Sequence, residues 1–177
     1  GIEVDERGFI KVDEFLRTTA PNVWALGDIN GGPQFTYISL DDYRIVRDQL
    51  FGDGKRSTIS RRNVPKSLFI YPPLSWVGLT EEQARHQGYE VKVATLPAGA
   101  VPRARQVAHT DGLLKAIVDA KTHRLLGVFL FSEDSSEMIN MVEVAMNAGL
   151  DYRVLRDTIF THPSMSESLN DLLSLIK

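Results

Sequence analysis

The stretch "GLLKAIVDAKTHRLLGVFLF", residues 112–131, decides the fold class. Its two apolar runs, "GLLKAIVDA" and "RLLGVFLF", are joined by the turn "KTH" and read as neighbouring strands. "YEVKVATL" upstream supplies a third run, so three antiparallel neighbours are expected. Downstream, "SSEMINMVEVAMNAG" reads as a helix with Met138, Met141, Val142, Ala145 and Ala148 on one face and Gly149 stopping it. Asp151 is placed to cap a short helix running through Arg156. A last helix, Met165 to Ile176, carries Met165, Leu169, Leu172, Leu173 and Ile176 on one face. Strands with helices on one face predict an α+β domain.

Moving toward the N-terminus, "LTEEQARHQG" has Thr80 as N-cap, Gln83 at the third helical position and Gly88 after the last turn, which brackets a short helix. Before it come strand-like "SLFIY" and the double proline Pro72-Pro73. Residues 52–66, "GDGKRSTISRRNVPK", are polar, charged and glycine-containing, as a linker would be. This divides the chain into residues 1–51, a linker at 52–63, and a domain at 64–177. The first part alternates short extended runs, "IEV", "FIKVD" and "NVWAL", with turn signals. A helix from Thr36 to about Phe51 follows, ended by Gly52.

The bulk composition narrows the function. With 177 residues, 43% of them hydrophobic, the chain can build a substantial core. There are 20 basic and 23 acidic residues, and the one basic cluster, "KRSTISRR", is diluted by serine and threonine. Nucleic acid and membrane surfaces are disfavoured as partners. No apolar run approaches the roughly 18 residues of a spanning helix, and no basic-then-apolar leader is visible, so a cytoplasmic location is the default expectation. There is no cysteine, hence neither a disulfide nor a thiolate metal site, and His86, His109, His123 and His162 show no metal-ligand spacing. The chain opens without methionine, directly in a strand-like run, and reads as part of something longer.

Two stretches carry candidate chemistry. In "TTAPNVWALGDINGG" an extended run ends at Gly27-Asp28, bringing a carboxylate beside a residue without a side chain, where a ligand hydroxyl could be bound. The helix starting near Thr36 adds free N–H groups and a positive dipole end. The ordinary alternative is a strand, an Asp-Asn-Gly turn and a capped helix. In "THPSMSESLNDLL", residues 161–173, His162 is the one candidate acid-base group and Glu167 the nearest acceptor to set its tautomer. Alternatively Ser164 and Glu167 form a capping box and His162 merely sits in the loop. The two roles of Glu167 are expected to compete for one carboxylate.

Thr18, Pro21, Val23, Trp24, Ala25, Gly27 and Asp28 match a Thr-x-x-Pro-x-Val-aromatic-Ala-x-Gly-Asp motif. With it the chain resembles the flavin-dependent pyridine nucleotide-disulfide oxidoreductases, the family of glutathione reductase, dihydrolipoamide dehydrogenase and mercuric reductase. The likeness continues through "LFIYPPLSWVGLTEEQA", "GLLKAIVDAKTHRLLGVFLF" with Glu137, and His162, Pro163, Ser166 and Glu167, which match a His-Pro-x-x-Ser-Glu pattern.

The resemblance implies an antiparallel interface domain that forms a homodimer, preceded by the short tail of an α/β FAD-binding domain. It implies FAD as cofactor, with Gly27 and Asp28 at the ribityl chain and the backbone at Thr36 and Tyr37 at the flavin ring, and NAD(P)H as co-substrate. His162, oriented by Glu167, would exchange protons with a redox-active disulfide on the partner subunit, and the His162-Pro163 bond would be cis. The chain alone is expected to be inactive and to purify without flavin. The competing readings are a non-catalytic dimerisation module and a reductase acting on a metal ion or small oxidant.

The pattern departs after Asp28, where "FTYISLDDYRIV" replaces the family's small residues and alanines with Tyr37 and the pair Asp41-Asp42. This resembles the bacterial reductases linked to reactive-chlorine and metal stress. Asp41 and Asp42 are read either as a mark of that subgroup or as a solvated helix face. His86 and His123 are expected at the surface, and His109 has no partner in the sequence pattern. The dimer is expected to use the sheet and the apolar faces of the helices at 135–148 and 164–176.

Overall fold

Helix α1, Thr36–Phe51, occupies the expected span and stops at Gly52. Only one stripe of it is buried: Ile38, Asp42 and Ile45, at the helical spacing of a core-facing side. The aromatic and aliphatic residues Tyr37, Leu40 and Leu50 remain exposed. The expected strands of this part do not form. Single bridges, Val4 with Ile10 and Arg17 with Trp24, take their place. The reason lies in the turns, where Asp5 Oδ1 accepts the N–H groups of Arg7 and Phe9 and Asp13 Oδ1 those of Phe15 and Arg17, giving the backbone a local alternative to a ladder. Residues 52–61 fold back on this part: Arg56 N–H donates to Asp48 Oδ2 at 2.8 Å and Thr58 N–H to the Glu14 carbonyl at 2.9 Å.

The computed structural model describes residues Gly1–Lys177, which fall into two units, Gly1–Arg61 and Arg62–Lys177. The second unit is built on five strands: β1 (Lys66–Leu68), β2 (Leu74–Gly78), β3 (Val91–Pro97), β4 (Leu113–Asp119) and β5 (Leu125–Phe131). They lie in the order β1-β2-β5-β4-β3, with every neighbour antiparallel. The run at 112–131 thus becomes the β4–β5 hairpin inside the sheet, with β3 on its outer side as expected. Sequence reading placed a strand over "SLFIY" and none over "LSWVG". In the fold, β1 ends at Leu68, Phe69 turns out with 83% of its surface exposed, and the chain re-enters as β2 after a cis Tyr71-Pro72 bond.

Five helices complete this unit. α2 (Glu81–His86) starts with the expected capping box, Gln83 N–H donating to Thr80 Oγ1 at 3.1 Å and Thr80 N–H to Gln83 Oε1 at 2.9 Å. α3 (Pro102–Gln106), unanticipated, opens on a proline. α4 (Ser135–Asn147) and α5 (Tyr152–Asp157) follow, with Asp151 capping α5 by accepting the N–H of Arg153 at 2.9 Å. α6 is Ser168–Ser174 and not Met165–Ile176, because residues 165–167 first wind through tight turns, with the Ser168 and Leu169 N–H groups bonded to carbonyls three residues back.

α4 crosses β2 and β5, and α6 lies on β3 and β4. Met138, Val142 and Ala145 of α4 and Leu169, Leu172 and Leu173 of α6 join Val77, Leu114, Ala116, Val128 and Leu130 of the sheet in one buried cluster. This corrects the basis given for dimer contacts. The apolar faces of the two helices are consumed by the chain's own sheet, where burying each large side chain is worth about 1.5–3 kcal/mol, so they are not free surfaces.

Candidate functional site

His162 stands in the loop between α5 and α6, before a Pro163 joined through a cis peptide bond, as the resemblance implied. Asn170 on α6 anchors that loop. Its side-chain amide donates to the carbonyls of Leu155, Arg156 and Thr158, satisfying acceptors left over where α5 ends. The ring is open, with 68% of the His162 side chain exposed, while Glu167 is 17% exposed. His162 Nδ1 and Glu167 Oε2 are 2.8 Å apart. A carboxylate only accepts, so Nδ1 carries the proton and the exposed Nε2 of the neutral ring is left as an acceptor.

The expected competition for Glu167 does not occur. Its second oxygen, Oε1, accepts the N–H of Ser164 at 3.0 Å, and its own N–H donates to Ser164 Oγ at 3.3 Å. The reciprocal Ser164–Glu167 bonds, which close the turn before α6, and the histidine contact coexist because the two carboxylate oxygens divide the work. Partial burial pushes the Glu167 carboxyl upward, but the imidazole and the Ser164 N–H outweigh it and hold the group below its usual range. The arrangement is a fixed carboxylate behind an exposed imidazole, able to take a proton at Nε2 and stabilise the imidazolium.

A groove adjoins this loop, lined by Arg103 and Gln106 from α3, Asp134 and Glu137 near the start of α4, and Pro163 and Ser166. Sequence reading did not single out Arg103 or Gln106. The only available signal was Pro102 opening a helix so short that no periodicity shows. His109 does have a partner: its Nδ1 lies 2.8 Å from Glu133 Oε2, and the Tyr71 ring meets it edge-on at 5.6 Å. His86 is exposed, as expected. His123, expected at the surface, is half-buried with its ring tilted against Tyr152, centroids 6.3 Å apart.

The other candidate residues lie in the first unit. The extended run ends in a tight turn, Gly27–Asn30, and the Asp28 side chain is exposed. Gly27 has φ +75°, and a Cβ there would come within 3.0 Å of Ser39 Oγ. Helix packing therefore accounts for this glycine as well as any approach by a ligand. Thr36 and Tyr37 begin α1 on its exposed side, and Phe35 offers the first turn no side-chain cap. Tyr37 stacks on Phe35 with centroids 5.0 Å apart, and burial pushes its hydroxyl pKa up. An exposed carboxylate followed by an uncapped helix start suits a ligand with a hydroxylated chain and a ring edge of carbonyl and nitrogen acceptors, so these residues fit the flavin that the resemblance implies.

Asp41 and Asp42 are not a solvated face. Asp42 is 1% exposed and Asp41 is also largely covered. Burial pushes the Asp41 carboxyl up, but Arg56 and Arg61 outweigh it and hold it below its usual range. Arg61 reaches both acids, at 2.8 Å from Asp41.

Residues 64–173 match the pyridine nucleotide-disulphide oxidoreductase dimerisation domain, and residues 1–42 match a second pyridine nucleotide-disulphide oxidoreductase region. The probable pyridine nucleotide-disulfide oxidoreductase RclA of Escherichia coli K12 is 66% identical over 177 residues, all of this chain and 40% of that protein. Mercuric reductase of Bacillus cereus is 37% identical over 169 residues, 96% of this chain and 27% of the relative. The structure of the HOCl-induced flavoprotein disulfide reductase RclA from Escherichia coli superposes with a TM-score of 0.97 at 65% identity, covering 99% of this chain and 40% of that one. The chain thus spans well under half the length of these relatives. No helix is long and apolar enough to cross a membrane. The sheet, its helices and the motif order agree with these matches: the chain belongs to the pyridine nucleotide-disulphide oxidoreductases.

Proposed function

We propose that this chain is the C-terminal region of an FAD-dependent NAD(P)H:disulfide oxidoreductase, and that His162, held by Glu167, manages protons for a redox-active cysteine pair on the partner subunit of a homodimer. Residues 1–51 would be the tail of the FAD-binding domain and residues 64–177 the interface domain. The observation that carries this is the Glu167 fork: Oε2 at 2.8 Å from His162 Nδ1, Oε1 at 3.0 Å from the Ser164 N–H. A loop histidine needs no such brace, whereas a general base does, because a wrong tautomer offers N–H where a lone pair is required.

Bound FAD would relay electrons from the nicotinamide to the cysteine pair. Asp28 would accept hydrogen bonds from its ribityl hydroxyls, and the backbone at Thr36 and Tyr37 would face its ring. The remaining work falls to His162. Nε2 takes the proton of a partner cysteine thiol, and the resulting thiolate attacks the substrate disulfide. The S–S bond breaks, a mixed disulfide forms, and the imidazolium returns its proton to the departing thiolate. Glu167 stabilises the charged ring throughout.

The test uses the full-length reductase. His162→Gln should leave flavin reduction by NAD(P)H unchanged and slow disulfide turnover about 10²–10⁴-fold. Pairing a His162→Gln subunit with one lacking the redox cysteines should restore activity, since one of the two sites then has a sound histidine and sound cysteines. An inactive heterodimer of folded, flavin-loaded subunits would overturn the role across the interface. Full turnover by His162→Gln would favour instead a non-catalytic dimerisation module in a reductase of metal ions or small oxidants.

A further inference from the structure

Asp42 occupies a place on α1 where packing alone asks for an apolar side chain. It lies between Ile38 and Ile45 on the buried stripe, and a carboxylate there is costly unless fully paired. Its pairing is complete and directed. Oδ2 accepts the Gly27 N–H at 2.7 Å and the Asn30 side-chain amide at 3.1 Å, and Oδ1 accepts the Arg61 guanidinium. Asn30 extends the strap, donating also to the Ala25 carbonyl at 3.2 Å and accepting the Gly32 N–H at 2.9 Å. Everything Asp42 holds, apart from Arg61, belongs to the turn that presents Asp28.

We infer that Asp42 is a positioning residue for the flavin: from within α1 it fixes the Gly27–Asn30 turn, so that the Asp28 carboxylate and the start of α1 meet the cofactor as one preorganised unit. The inference rests on the reading of Asp28 as the ribityl-binding residue. Arg61 plays a different part. Its guanidinium bonds go to Asp41 and Asp42, whereas the bonds to the turn come from Asp42 Oδ2, so the charge pairing and the turn's anchor separate at the level of single side chains. Preorganisation acts on affinity because a loop already in its bound shape is not ordered again at binding.

The experiment measures the dissociation constant and release rate of FAD from the full-length holoenzyme, by recovery of flavin fluorescence, beside the thermal midpoint of each variant. Asp42→Ala should weaken FAD about 10- to 100-fold, as the loss of a charged hydrogen-bond acceptor implies. Arg61→Gln should lower the thermal midpoint while leaving FAD release unchanged. Asp42→Leu combined with Arg61→Leu removes both charges and refills the stripe, so it should fold even where Asp42→Ala does not. It should regain the thermal midpoint and still release FAD quickly, because the Gly27 N–H has no acceptor. If FAD affinity returns together with stability in the double variant, Asp42 is only a structural ion-pair member and the inference is overturned. Asp28→Ala separates the two ideas: unchanged FAD affinity there removes the ribityl reading and the inference with it. A weakened Asp28→Ala beside an unaffected double variant removes the inference alone.

Discussion

The two units of this chain solve the same problem by opposite means. Each holds one exposed candidate group, Asp28 in the first unit and His162 in the second, in a segment outside its α-helices and strands. The first unit has few buried apolar residues, chiefly Leu16, Ala25, Ile38 and Ile45, and secures its turn through a buried carboxylate bonded to backbone, amide and guanidinium. The second lays α4 and α6 over a five-stranded sheet and secures its loop at the edge of that core, with Glu167 as a local brace. A small unit with little apolar area relies on directed polar bonds, whose removal leaves unsatisfied partners. A unit with a large core can hang a functional loop from helices that are already fixed.

The contrast is open to measurement because each unit contains one of the chain's two tryptophans, Trp24 and Trp76. The largest effect is expected from Leu130→Ala, which empties a fully buried position on β5. It should cost the second unit about 2–5 kcal/mol. In a Trp24→Phe background, urea unfolding followed by Trp76 fluorescence should shift by that amount. A loss below about 1 kcal/mol would break the claim that an apolar core carries this unit.

A smaller change is expected from Thr80→Ala, which removes one side of the capping box on α2 and leaves the sheet untouched. Its expected cost is about 1 kcal/mol, seen as faster hydrogen exchange at the Gln83 amide, the group that the Thr80 hydroxyl accepts from. An equal loss across β4 and β5 would show that the cap is not local.

Smallest of all is the effect of acid on α5. Arg153 beside Asp151 lowers that carboxyl from 3.8 to about 2. A depressed folded value means the contribution is complete above pH 3.8 and is lost as the pH falls through about 2. The Arg153 amide, which donates to Asp151, should therefore lose exchange protection only in that window, and only slightly, because the ion pair faces solvent. Loosening of α5 already at pH 5 would assign the cap to another group.

What was legible in the sequence follows the reach of each rule. α1 from Thr36 to Phe51, the Thr80–Gln83 box and the Asp151 cap depend on residues within a turn or two of one another, and all three stand as read. The short strand β2 and helix α3 were too brief for any period to emerge. The exposed residues 69–71 were apolar enough to pass for strand, although they leave the sheet.

By itself the sequence determined the antiparallel hairpin at 112–131, the limits of α1 and the motif order that marks the family, since periodicity, capping and motif spacing act along the chain. The tertiary structure alone decided which surfaces are buried and what each acid does. Asp42 meets Gly27 across 15 positions and His109 meets Glu133 across 24. Ile38, Asp42 and Ile45 share a helical face in the sequence, yet whether that face meets solvent or a turn with an N–H to satisfy depends on the fold around it. Glu167 lies within five positions of both its partners, and still its fork was not foreseen. Whether one carboxylate serves two donors is set by the angle at which the loop returns, a property of the packed backbone and not of spacing.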